Sequence, residues 1–505
     1  MKILSSKQIR EADAYTIANE PIASIDLMER AATAAYEWMK NSIFFNKNRR
    51  WVIFCGTGNN GGDGLAIARK LNQDQQKVIV FAVRISEKSS DDFQINENRL
   101  KEIGLDLKDI SSKDDLPEIN ENDIVVDAIF GSGLSRPVEG LSADLIRHIN
   151  ESSATTVAID IPSGLFADSN STDQSKAIIE AGYTLSFQFP KLAFMFPENE
   201  KYVAEFRAIP IGLDEDFIAR QDSQNYFITK KSAISILKPR SKFSHKGTYG
   251  HALLVSGSYG KMGATVLAAR ACLRTGAGLL TIRAPKCGYE IMQTTVPEAM
   301  CDVDESESFL TSNINLEKYN AIGIGPGIGT EKETQNMLKL FIQNSALPLV
   351  VDADAINILS ENKTWLSFVP KNSIYTPHPK EFERLVGFSK NNFERHKIQI
   401  EFAKKHQCYV VLKGAHTAIA CPDGEVYFNS TGNSGMATGG SGDVLTGIIT
   451  GLMAQGYSSK EASILGVYMH GLMGDIAAQN LSEESLMAGD IVFYLADAFK
   501  YLQAE

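Results

Sequence analysis

Several features that mark other classes of protein are missing from this sequence of 505 residues. No apolar run approaches the length of a membrane span, and the basic residues are scattered in a chain of formal net charge −11. These absences argue against a membrane protein and against nucleic-acid binding as the main activity. The six cysteines show no CxxC or other metal-ligand spacing, so we expect reduced thiols in a cytoplasmic protein.

The N-terminus also lacks the apolar core of a signal peptide. The stretch MKILSSKQIREADAYT is instead typical of a capped helix, so no signal peptide is expected. Hydrophobic residues make up 44% and charged residues 22% of the chain, which is ordinary for a globular protein. Because 505 residues exceed what one core usually organises, we expect two or more domains.

The pattern of apolar runs predicts an α/β protein with two domains. Near-continuous apolar runs alternate with helix-length segments, which is typical of parallel βαβ units. An acidic, polar stretch at 214–225 is the best candidate for the boundary, so we predict domains at 1–220 and 225–505. The runs read as strands are 51–55, 77–83, 123–130, 155–162, 182–189, 251–257, 278–284, 321–325, 348–354 and 408–414, with a hairpin at 417–430 and helices at 443–455, 459–480 and 488–503.

Three polar motifs follow predicted strands in the first half: GTGNNGGDG (56–64), DAIFGSGLSRP (127–137) and AIDIPSG (158–164). In parallel α/β sheets ligands bind beyond the carboxyl ends of the strands, and glycines let a pyrophosphate approach the backbone. A helix is expected from Leu65, where its first amide groups could meet an anion. The alternative is that the glycines form tight turns and the carboxylates cap helices, which is harder to sustain for three successive strand ends.

The oxygens in these motifs indicate a cation site. Asn60, Asp127 and Ser163 carry only one formal negative charge between them, which suits a weakly charged hard cation rather than zinc. A buried carboxylate such as Asp160, at a strand end, also needs a partner or a chemical task.

Together the three motifs resemble the NAD(P)H-hydrate epimerase family, across most of 1–215. The resemblance implies a Rossmann-like parallel α/β domain in which Asn60, Asp127 and Ser163 bind K⁺. We expect epimerisation at C6 of the hydrated ring to pass through a cation, and Asp160 is our candidate for the catalytic carboxylate beside it. The implied substrate contacts are Asn59, Asn60, Gly61, Gly62, Asp63, Gly131, Ser132, Gly133, Leu134, Ser135, Arg136, Pro137 and Asp160.

The second half contains the strongest motif, NSTGNSGMATGGSGDVLTGIITGL at 429–452. Glycines precede Asp443 at the start of an apolar helix, where free amide groups can hold a phosphoryl group and the carboxylate can take a proton. This arrangement is seen in ribokinase-like small-molecule kinases. The alternative for Asp443 is a helix cap. No Walker A motif is present, so a nucleotide would bind in another manner.

Further glycine-rich strand ends complete a resemblance to NAD(P)H-hydrate dehydratase, across about 230–503. They are GSYGKMGA (257–264), GIGPGIGT (323–330), TPHPKEFERL (376–385) and KGAHT (413–417). Ser434 and Lys380 depart from the family's proline and glycine, at positions without chemistry. The resemblance implies substrate contacts at Ala264, Gly327, His378 and Asp443, and nucleotide contacts at Lys413, Gly414, Ala415, His416, Thr417, Gly432, Asn433, Ser434, Gly435, Met436, Ala437, Thr438, Gly439, Gly440 and Gly442.

The whole chain is therefore similar to the bifunctional NAD(P)H-hydrate repair enzymes, with a Rossmann-like domain followed by a ribokinase-like α/β domain. This resemblance implies epimerisation of NADHX and NADPHX, and dehydration of the S form with ADP as co-substrate, Mg²⁺ accompanying the nucleotide. No nucleic-acid or membrane partner is expected, and domains of this kind commonly form homo-oligomers. Two alternatives stay open: the second half could be a small-molecule kinase fused to a dinucleotide-binding module, and the first half could be a non-catalytic docking module.

Overall fold

The computed structural model describes residues 1–43, 45–84, 88–169 and 177–504. The chain divides into two compact units, Lys2–Ser223 and Gln224–Glu505, with Met1 assigned to the second. The division falls inside the polar stretch at 214–225 that the sequence marks as a boundary. Within the described ranges, no helix combines the length and the apolar character needed to cross a membrane.

The first unit is built around a parallel sheet. The strands of the unit are β1 (Lys2–Ile3), β2 (Arg50–Cys55), β3 (Lys77–Val83), β4 (Leu107–Ile110), β5 (Ile124–Ala128), β6 (Thr155–Ile159), β7 (Tyr183–Phe187) and β8 (Glu205–Ile209), and all but β1 belong to this sheet. Its helices are α1 (Ser6–Asn19), α2 (Ser24–Lys40), α3 (Asn59–Gln73), α4 (Asp91–Glu102), α5 (Gly140–Glu151), α6 (Glu200–Val203) and α7 (Glu215–Arg220). The sheet order is β4-β3-β2-β5-β6-β7-β8, with every pair parallel.

Alternation of side chains along each strand produces a core on each face of this sheet. In β2, Trp51, Ile53 and Cys55 join a core with helices α2, α3 and α4. Val52 and Phe54 point to the other face and join a core with α5. Strands buried on both faces explain why the sequence shows near-continuous apolar runs there. The order of the strands reverses between β2 and β5, and a reversal of this kind opens a crevice at the carboxyl ends of the strands.

Helix α3 begins six residues earlier than the sequence predicts. It starts at Asn59 rather than Leu65, so the predicted loop NNGGD is the first turn of a helix. Glycine disfavours helix when it is exposed to solvent. Here Gly61, Gly62 and Gly64 are buried, and tertiary packing overrides their intrinsic propensity.

The second unit also contains one large sheet. Its strands are β9 (Asn225–Phe227), β10 (His251–Val255), β11 (Leu279–Ala284), β12 (Met300–Val303), β13 (Ala321–Ile324), β14 (Leu349–Val351), β15 (Ile374–Tyr375), β16 (Tyr409–Leu412), β17 (Ala418–Ala420) and β18 (Val426–Phe428). Within this unit the order is β9-β18-β17-β16-β15-β14-β13-β10-β11-β12. β16, β17 and β18 pair antiparallel, as the hairpin prediction requires, and the remaining pairs are parallel.

Helices cover both faces of this sheet. They are α8 (Lys230–Ile236), α9 (Met262–Thr275), α10 (Tyr289–Thr295), α11 (Lys332–Asn344), α12 (Ala353–Glu361), α13 (Pro379–Val386), α14 (Asn392–His406), α15 (Ser441–Ala454), α16 (Ser459–Asn480), α17 (Ala488–Phe493) and α18 (Leu495–Gln503). Helix α15 is almost wholly buried and packs against α9 and the sheet. The helix predicted at 488–503 is divided into two at Tyr494.

Several of the strands that sequence reasoning missed are short or poorly buried. β9 has no buried residue. β9 and β15 have three and two residues. β4 has the sequence LKDI, and its Lys108 and Asp109 are exposed. Such segments carry too few apolar residues for periodicity to reveal them.

Candidate functional site

The first unit contains a cavity of about 640 Å³ at the carboxyl ends of β2, β5 and β6. Most of the predicted substrate contacts line it: Asn59, Asn60, Asp63, Gly131, Ser132, Gly133, Leu134 and Asp160. Five predicted contacts do not line it. Gly61 and Gly62 are buried in the first turn of α3, and Ser135, Arg136 and Pro137 are exposed on the loop beyond. Their contact with a substrate stays a prediction.

Glycines near this cavity allow backbone segments to approach one another closely. A Cβ atom on Gly61 would lie 1.7 Å from the Gly56 carbonyl oxygen, and a Cβ on Gly56 would lie 2.1 Å from that of Ile129. A Cβ on Gly64 would meet the Ala128 and Cys55 side chains at 2.7 and 2.8 Å. No other residue fits at these distances. The glycines therefore hold the start of α3 against the ends of β2 and β5.

Two of the three predicted potassium ligands are in direct contact. Asp127 is fully buried, and its carboxylate accepts hydrogen bonds from the Ser163 hydroxyl at 2.6 Å and the Ser163 backbone N–H at 2.8 Å. The Ser163 hydroxyl accepts in turn from the Phe130 N–H at 2.8 Å. Burial raises the pKa of Asp127 to about 6, although these donors oppose the rise. A cation beside it would favour its charged form.

The third predicted ligand, Asn60, supplies the observation that a bound group fits here. Its amide oxygen and nitrogen are both buried, and neither has a hydrogen-bond partner among the described residues. An unsatisfied buried amide costs free energy, so such groups are rare unless a ligand or an ion completes them. Asn60 lines the cavity, whereas Asp127 and Ser163 do not. The oxygen-only donor set with one formal charge suits a monovalent hard cation.

Asp160 lies directly after β6 with both carboxylate oxygens engaged. Lys191 Nζ lies 2.7 Å from Oδ1, and the Ser132 N–H donates to Oδ2 at 3.1 Å. Burial alone would raise the pKa of Asp160, but the Lys191 ammonium outweighs it and the pKa is lowered. The backbone of Asp160 has φ of +66°, a strained conformation for a residue other than glycine. The ion pair therefore keeps a negative charge at the cavity wall.

Sequence reasoning missed four charged residues of this site, Arg10, Asp13, Asp92 and Lys191. Lys191 is 1% exposed and follows a proline in a stretch without regular periodicity. Arg10 and Asp13 lie on α1 and line the cavity. The spacing of Ile9, Asp13 and Ile17 along one face of that helix was the available signal. It did not reveal that this face meets a cavity rather than solvent.

The second unit gathers its predicted residues where α15 begins. Gly440 precedes the helix in the left-handed conformation, with φ of +93°, and no side chain caps the first turn. The first backbone N–H groups of a helix have no partner within the helix. A Cβ on Gly440 would lie 2.5 Å from Leu267 Cδ1, so the turn also requires glycine for space. The result is a helix start able to receive an anion.

Asp443, in the first turn of α15, has a strongly perturbed acidity. Burial and the Asp352 carboxylate together raise its pKa to about 7, although the Lys413 ammonium opposes the rise. Asp352 is 1% exposed and accepts from Lys413 Nζ at 3.1 Å and Thr446 Oγ1 at 2.7 Å. A carboxylate with a pKa near 7 is well matched to general-base work at neutral pH.

Lys413 lies at the end of β16 and faces the start of α15. A Cβ on Gly442 would lie 3.1 Å from Lys413 Nζ, so the absent side chain leaves this ammonium accessible to the helix start. His378 caps α13, with Nδ1 accepting from the Lys380 and Glu381 N–H groups. Burial lowers the pKa of His378, and Lys413 is among the charges near it. The three predicted residues Lys413, Asp443 and His378 thus belong to one electrostatic group.

Ala264 and Gly327 are also brought together. A Cβ on Gly327 would lie 3.5 Å from Ala264 Cβ and 3.0 Å from the Lys261 carbonyl oxygen. Gly327 has φ of +64° and accepts a hydrogen bond from Ser258 Oγ at 2.7 Å. The two glycine-rich loops that follow β10 and β13 therefore touch at the carboxyl edge of the sheet.

The predicted nucleotide contacts form two ordered loops. In the 413–417 loop, Thr417 Oγ1 bonds to the Gly414 backbone, and His416 Nδ1 lies 2.9 Å from the Asn429 carbonyl oxygen. The 432–440 loop is held by α16, which the sequence did not connect with the site. Asp475 accepts from the Gly432 N–H at 2.9 Å and from Asn433 Nδ2 at 3.0 Å. The remaining residues of that loop, Ser434, Gly435, Met436, Ala437, Thr438 and Gly439, precede the start of α15.

The described residues contain no group of three or more His, Cys, Asp or Glu side chains arranged to hold a metal ion. Asp352 is already paired with Lys413. Asp354 is paired with Lys261 at 3.1 Å.

Both halves of the chain match known protein families. Residues 252–495 match the family model described as NAD(P)H-hydrate dehydratase, and residues 24–193 match the YjeF-related protein N-terminus. The bifunctional NAD(P)H-hydrate repair enzyme of Moorella thermoacetica is 35% identical over 520 residues, covering 100% of this chain and 98% of that protein. The enzyme of the same name from Escherichia coli is 31% identical over 469 residues, covering 92% and 88%.

A solved structure, the ADP/ATP-dependent NAD(P)H-hydrate dehydratase from Bacillus subtilis co-crystallised with ATP/Mg²⁺, is 31% identical to this chain. The similarity covers 55% of this chain and 98% of that one, with a TM-score of 0.49.

Proposed function

The chain belongs to the family of bifunctional NAD(P)H-hydrate repair enzymes, and from that premise we propose how its two sites divide the work. The protein epimerises the R and S forms of hydrated NADH and NADPH and dehydrates the S form to NAD(P)H at the expense of a nucleotide. We assign dehydration to the second unit and epimerisation to the first. The observation that carries the assignment of dehydration to the second unit is Asp443 at the start of α15, with its pKa near 7.

Dehydration needs a better leaving group than hydroxide. Asp443 takes the proton of the C6 hydroxyl, and the oxygen attacks the terminal phosphorus of ADP, so that the P–O bond to AMP breaks. The Lys413 ammonium and the amide groups at the start of α15 stabilise the charge that develops on the transferring phosphoryl group. Phosphate then leaves C6, the ring nitrogen supplies the electron pair, and loss of a proton from C5 restores the double bond of NAD(P)H.

The remaining predicted residues of the second unit would position the two reactants. Ala264 and Gly327 lie where the two loops meet at the edge of the sheet, and there they would contact the substrate. His378 is held by its own helix start and presents Nε2 on a half-exposed ring. The ordered loops 413–417 and 432–440 would hold the nucleotide. ADP rather than ATP as the physiological donor rests on family resemblance.

Epimerisation in the first unit requires C6 to lose its configuration and regain it. We propose that the C6–O bond breaks to leave a cationic ring, and that Asp160 stabilises the positive charge. The ion pair with Lys191 supports this role because it keeps Asp160 ionised. Residues Asn59 to Asp63 and Gly131 to Pro137 would contact the dinucleotide.

Two ions are part of this proposal. Asn60, Asp127 and Ser163 would hold K⁺, which when bound supplies the positive charge that the buried Asp127 lacks. Mg²⁺ would accompany the nucleotide and offset the charge of its phosphates. Reduced cysteines, all unpaired in the described residues, are consistent with a cytoplasmic location.

The test of the dehydratase assignment is Asp443→Asn. Loss of a general base should lower nucleotide-dependent recovery of NAD(P)H by on the order of a hundredfold to ten-thousandfold, while R and S forms continue to interconvert. Recovery is followed by absorbance and epimers by chromatography. Near-normal dehydration by the variant would show that Asp443 is only a helix-cap residue and not the general base.

A second assay, with labelled nucleotide, separates a dehydratase from a small-molecule kinase. With labelled nucleotide, a dehydratase releases free phosphate, whereas a kinase leaves the label on an organic product. An epimer assay on the same protein tests whether the first unit is an enzyme or only a docking module.

A further inference from the structure

The cavity of the first unit contains carboxyl groups in two different situations. Asp160 has both oxygens bonded, one to Lys191 Nζ and the other to the Ser132 N–H. Lys191 is itself fixed, because its Nζ also donates to Ser186 Oγ at 3.0 Å and the side chain is 1% exposed. A carboxylate held this way is a stable negative charge and a poor proton carrier.

Asp13, in contrast, is a carboxyl group whose oxygens are not bonded to other described residues. It lines the same cavity from α1, and among the described residues it makes no hydrogen bond or ion pair through its side chain. It is nevertheless close enough to Asp160 and Lys191 for both charges to act on it. A carboxyl group that faces a cavity and has no protein partner is free to bond a ligand there.

Charged groups on several elements face Asp13. Asp160 follows β6, Asp63 lies on α3, Asp92 lies on α4, and Arg10 is one turn away on α1 itself. Burial and the Asp160 carboxylate together raise the pKa of Asp13 to about 6, although the Lys191 ammonium opposes the rise. The aspartates outnumber the cations that face it, so a proton is easily held in this part of the cavity.

We propose that Asp13 exchanges a proton with the C6 oxygen of the hydrate, while Asp160 remains ionised and stabilises the cationic ring. The inference rests on the proposed epimerase function of this cavity. Protonated Asp13 gives its proton to the C6 hydroxyl, the C6–O bond breaks with its electron pair on oxygen, and water leaves. The lone pair of N1 forms the N1=C6 bond, and the positive charge lies near Asp160.

Addition of water completes the exchange. A water molecule attacks C6 from the other face, the N1=C6 pair returns to nitrogen, and the added oxygen loses one proton to solvent in the cavity. Asp13 regains a proton from the same solvent, so atoms and charge balance over the cycle. In the opposite direction water takes the part of the acid on the second face.

The experiment follows R and S NADHX by chromatography with the full-length chain, without nucleotide, from pH 5 to pH 8. Because the protonated form of Asp13 is required, the wild-type rate should fall as pH rises through about 6. Asp13→Asn should lower the rate by on the order of a hundredfold or more and abolish this dependence. Asp13→Glu should restore part of the rate together with the dependence on pH.

Asp160→Asn should slow exchange at every pH but keep the dependence, displaced to lower pH because a charge that raises the pKa of Asp13 is gone. Glu11→Gln is the matched control, since Glu11 is an exposed carboxylate on the other side of α1. Cooperative thermal unfolding of each variant, followed by circular dichroism, reports that the first unit is folded, and ADP-dependent dehydration of the S form reports that the second unit is intact.

A wild-type rate and profile in Asp13→Asn would overturn the inference, as would loss of the pH dependence in Asp160→Asn alone. If Asp13→Asn fails to fold, Asp13→Ser is measured in its place, and a wild-type rate and pH profile in that variant would overturn the inference. Absence of R/S exchange in the wild-type chain would mean that the proposed function has failed, which is a separate result.

Discussion

The raised pKa of Asp443 suits a general base, and it also lowers the free energy of unfolding at neutral pH. An aspartate ordinarily ionises at a pKa of 3.8, and burial at the start of α15 moves that value to about 7. Between these values the folded state holds a proton that the unfolded state has lost. The free energy of unfolding therefore falls as pH rises through this window, and above pH 7 the loss is complete.

This linkage predicts that Asp443→Asn stabilises the protein while it removes activity. Asparagine cannot ionise, so the gain in melting temperature over the wild type should be larger at pH 8 than at pH 5. Thermal unfolding of the full chain at both values measures it, with the exposed Asp423→Asn as the matched control. An equal gain at the two pH values would contradict the raised pKa.

Asp127 and Asp160 of the first unit should separate into an ion ligand and a charge beside the reaction. Asp127→Ala should weaken potassium binding and slow epimerisation, and Asp127→Asn, which keeps the packing, should do so more mildly. Asp160→Asn should slow epimerisation with the ion still bound. Calorimetry of potassium binding beside chromatographic epimer exchange tests this. Identical behaviour of Asp127→Ala and Asp160→Asn in both measurements would show that the separation is wrong.

At the scale of elements, both sites are built from the start of a glycine-preceded helix against the ends of parallel strands. α3 begins next to β2 and β5 because Gly56 and Gly61 allow backbone contact there. α15 begins beside Lys413 because Gly440 supplies a left-handed turn and Gly442 supplies no side chain. In each case the absence of Cβ atoms sets how close the helix start lies to its neighbours.

The element-scale prediction is that Gly442→Val blocks the helix start of α15. Its Cβ would lie 3.1 Å from Lys413 Nζ, so the side chain would fill the space proposed for phosphate. Dehydration and nucleotide affinity should fall by tenfold or more, on the order of the 1.4 kcal/mol that a tenfold change represents, while epimerisation continues. Gly489→Val is the matched control, because that helical glycine has open space around it. Unchanged nucleotide affinity in Gly442→Val would place the phosphate elsewhere.

At the scale of the whole molecule, the chain carries two complete α/β units. The first has its own parallel sheet, helices on both faces and two cores. Its C-terminal residues are tied back to its N-terminus, since Gln8 Nε2 donates to the Asp222 carbonyl oxygen and Ser223 Oγ donates to that of Ile3. Assembly of the chain into a homo-oligomer stays a prediction.

A fragment of residues 1–223 should therefore fold by itself and interconvert R and S hydrates without any nucleotide. Circular dichroism and cooperative thermal unfolding measure the first property, and chromatography measures the second. A fragment that folds cooperatively but leaves the epimer ratio unchanged would move the epimerase activity out of this unit.

The amino-acid sequence was enough to give the α/β architecture, and it predicts where each site lies. Apolar runs buried on both faces predict parallel strands, and the carboxyl ends of parallel strands meet at one edge of a sheet. Polar motifs after successive strands, such as those that contain Asp127 and Asp160, are therefore neighbours in any such fold. GGSGD before an apolar helix likewise placed Asp443 at a helix start, as α15 shows.

Only the tertiary structure decided which other side chains reach these sites and what charge they carry. Asp13 lies on a helix and Lys191 in an irregular segment, and neither position reveals that it faces Asp160. The start of α3 at Asn59 depended on close packing that allows buried glycines in a helix. The pKa values of Asp13, Asp160 and Asp443 depend on burial and on neighbours distant in sequence, because a carboxyl group ionises according to the charges and solvent around it.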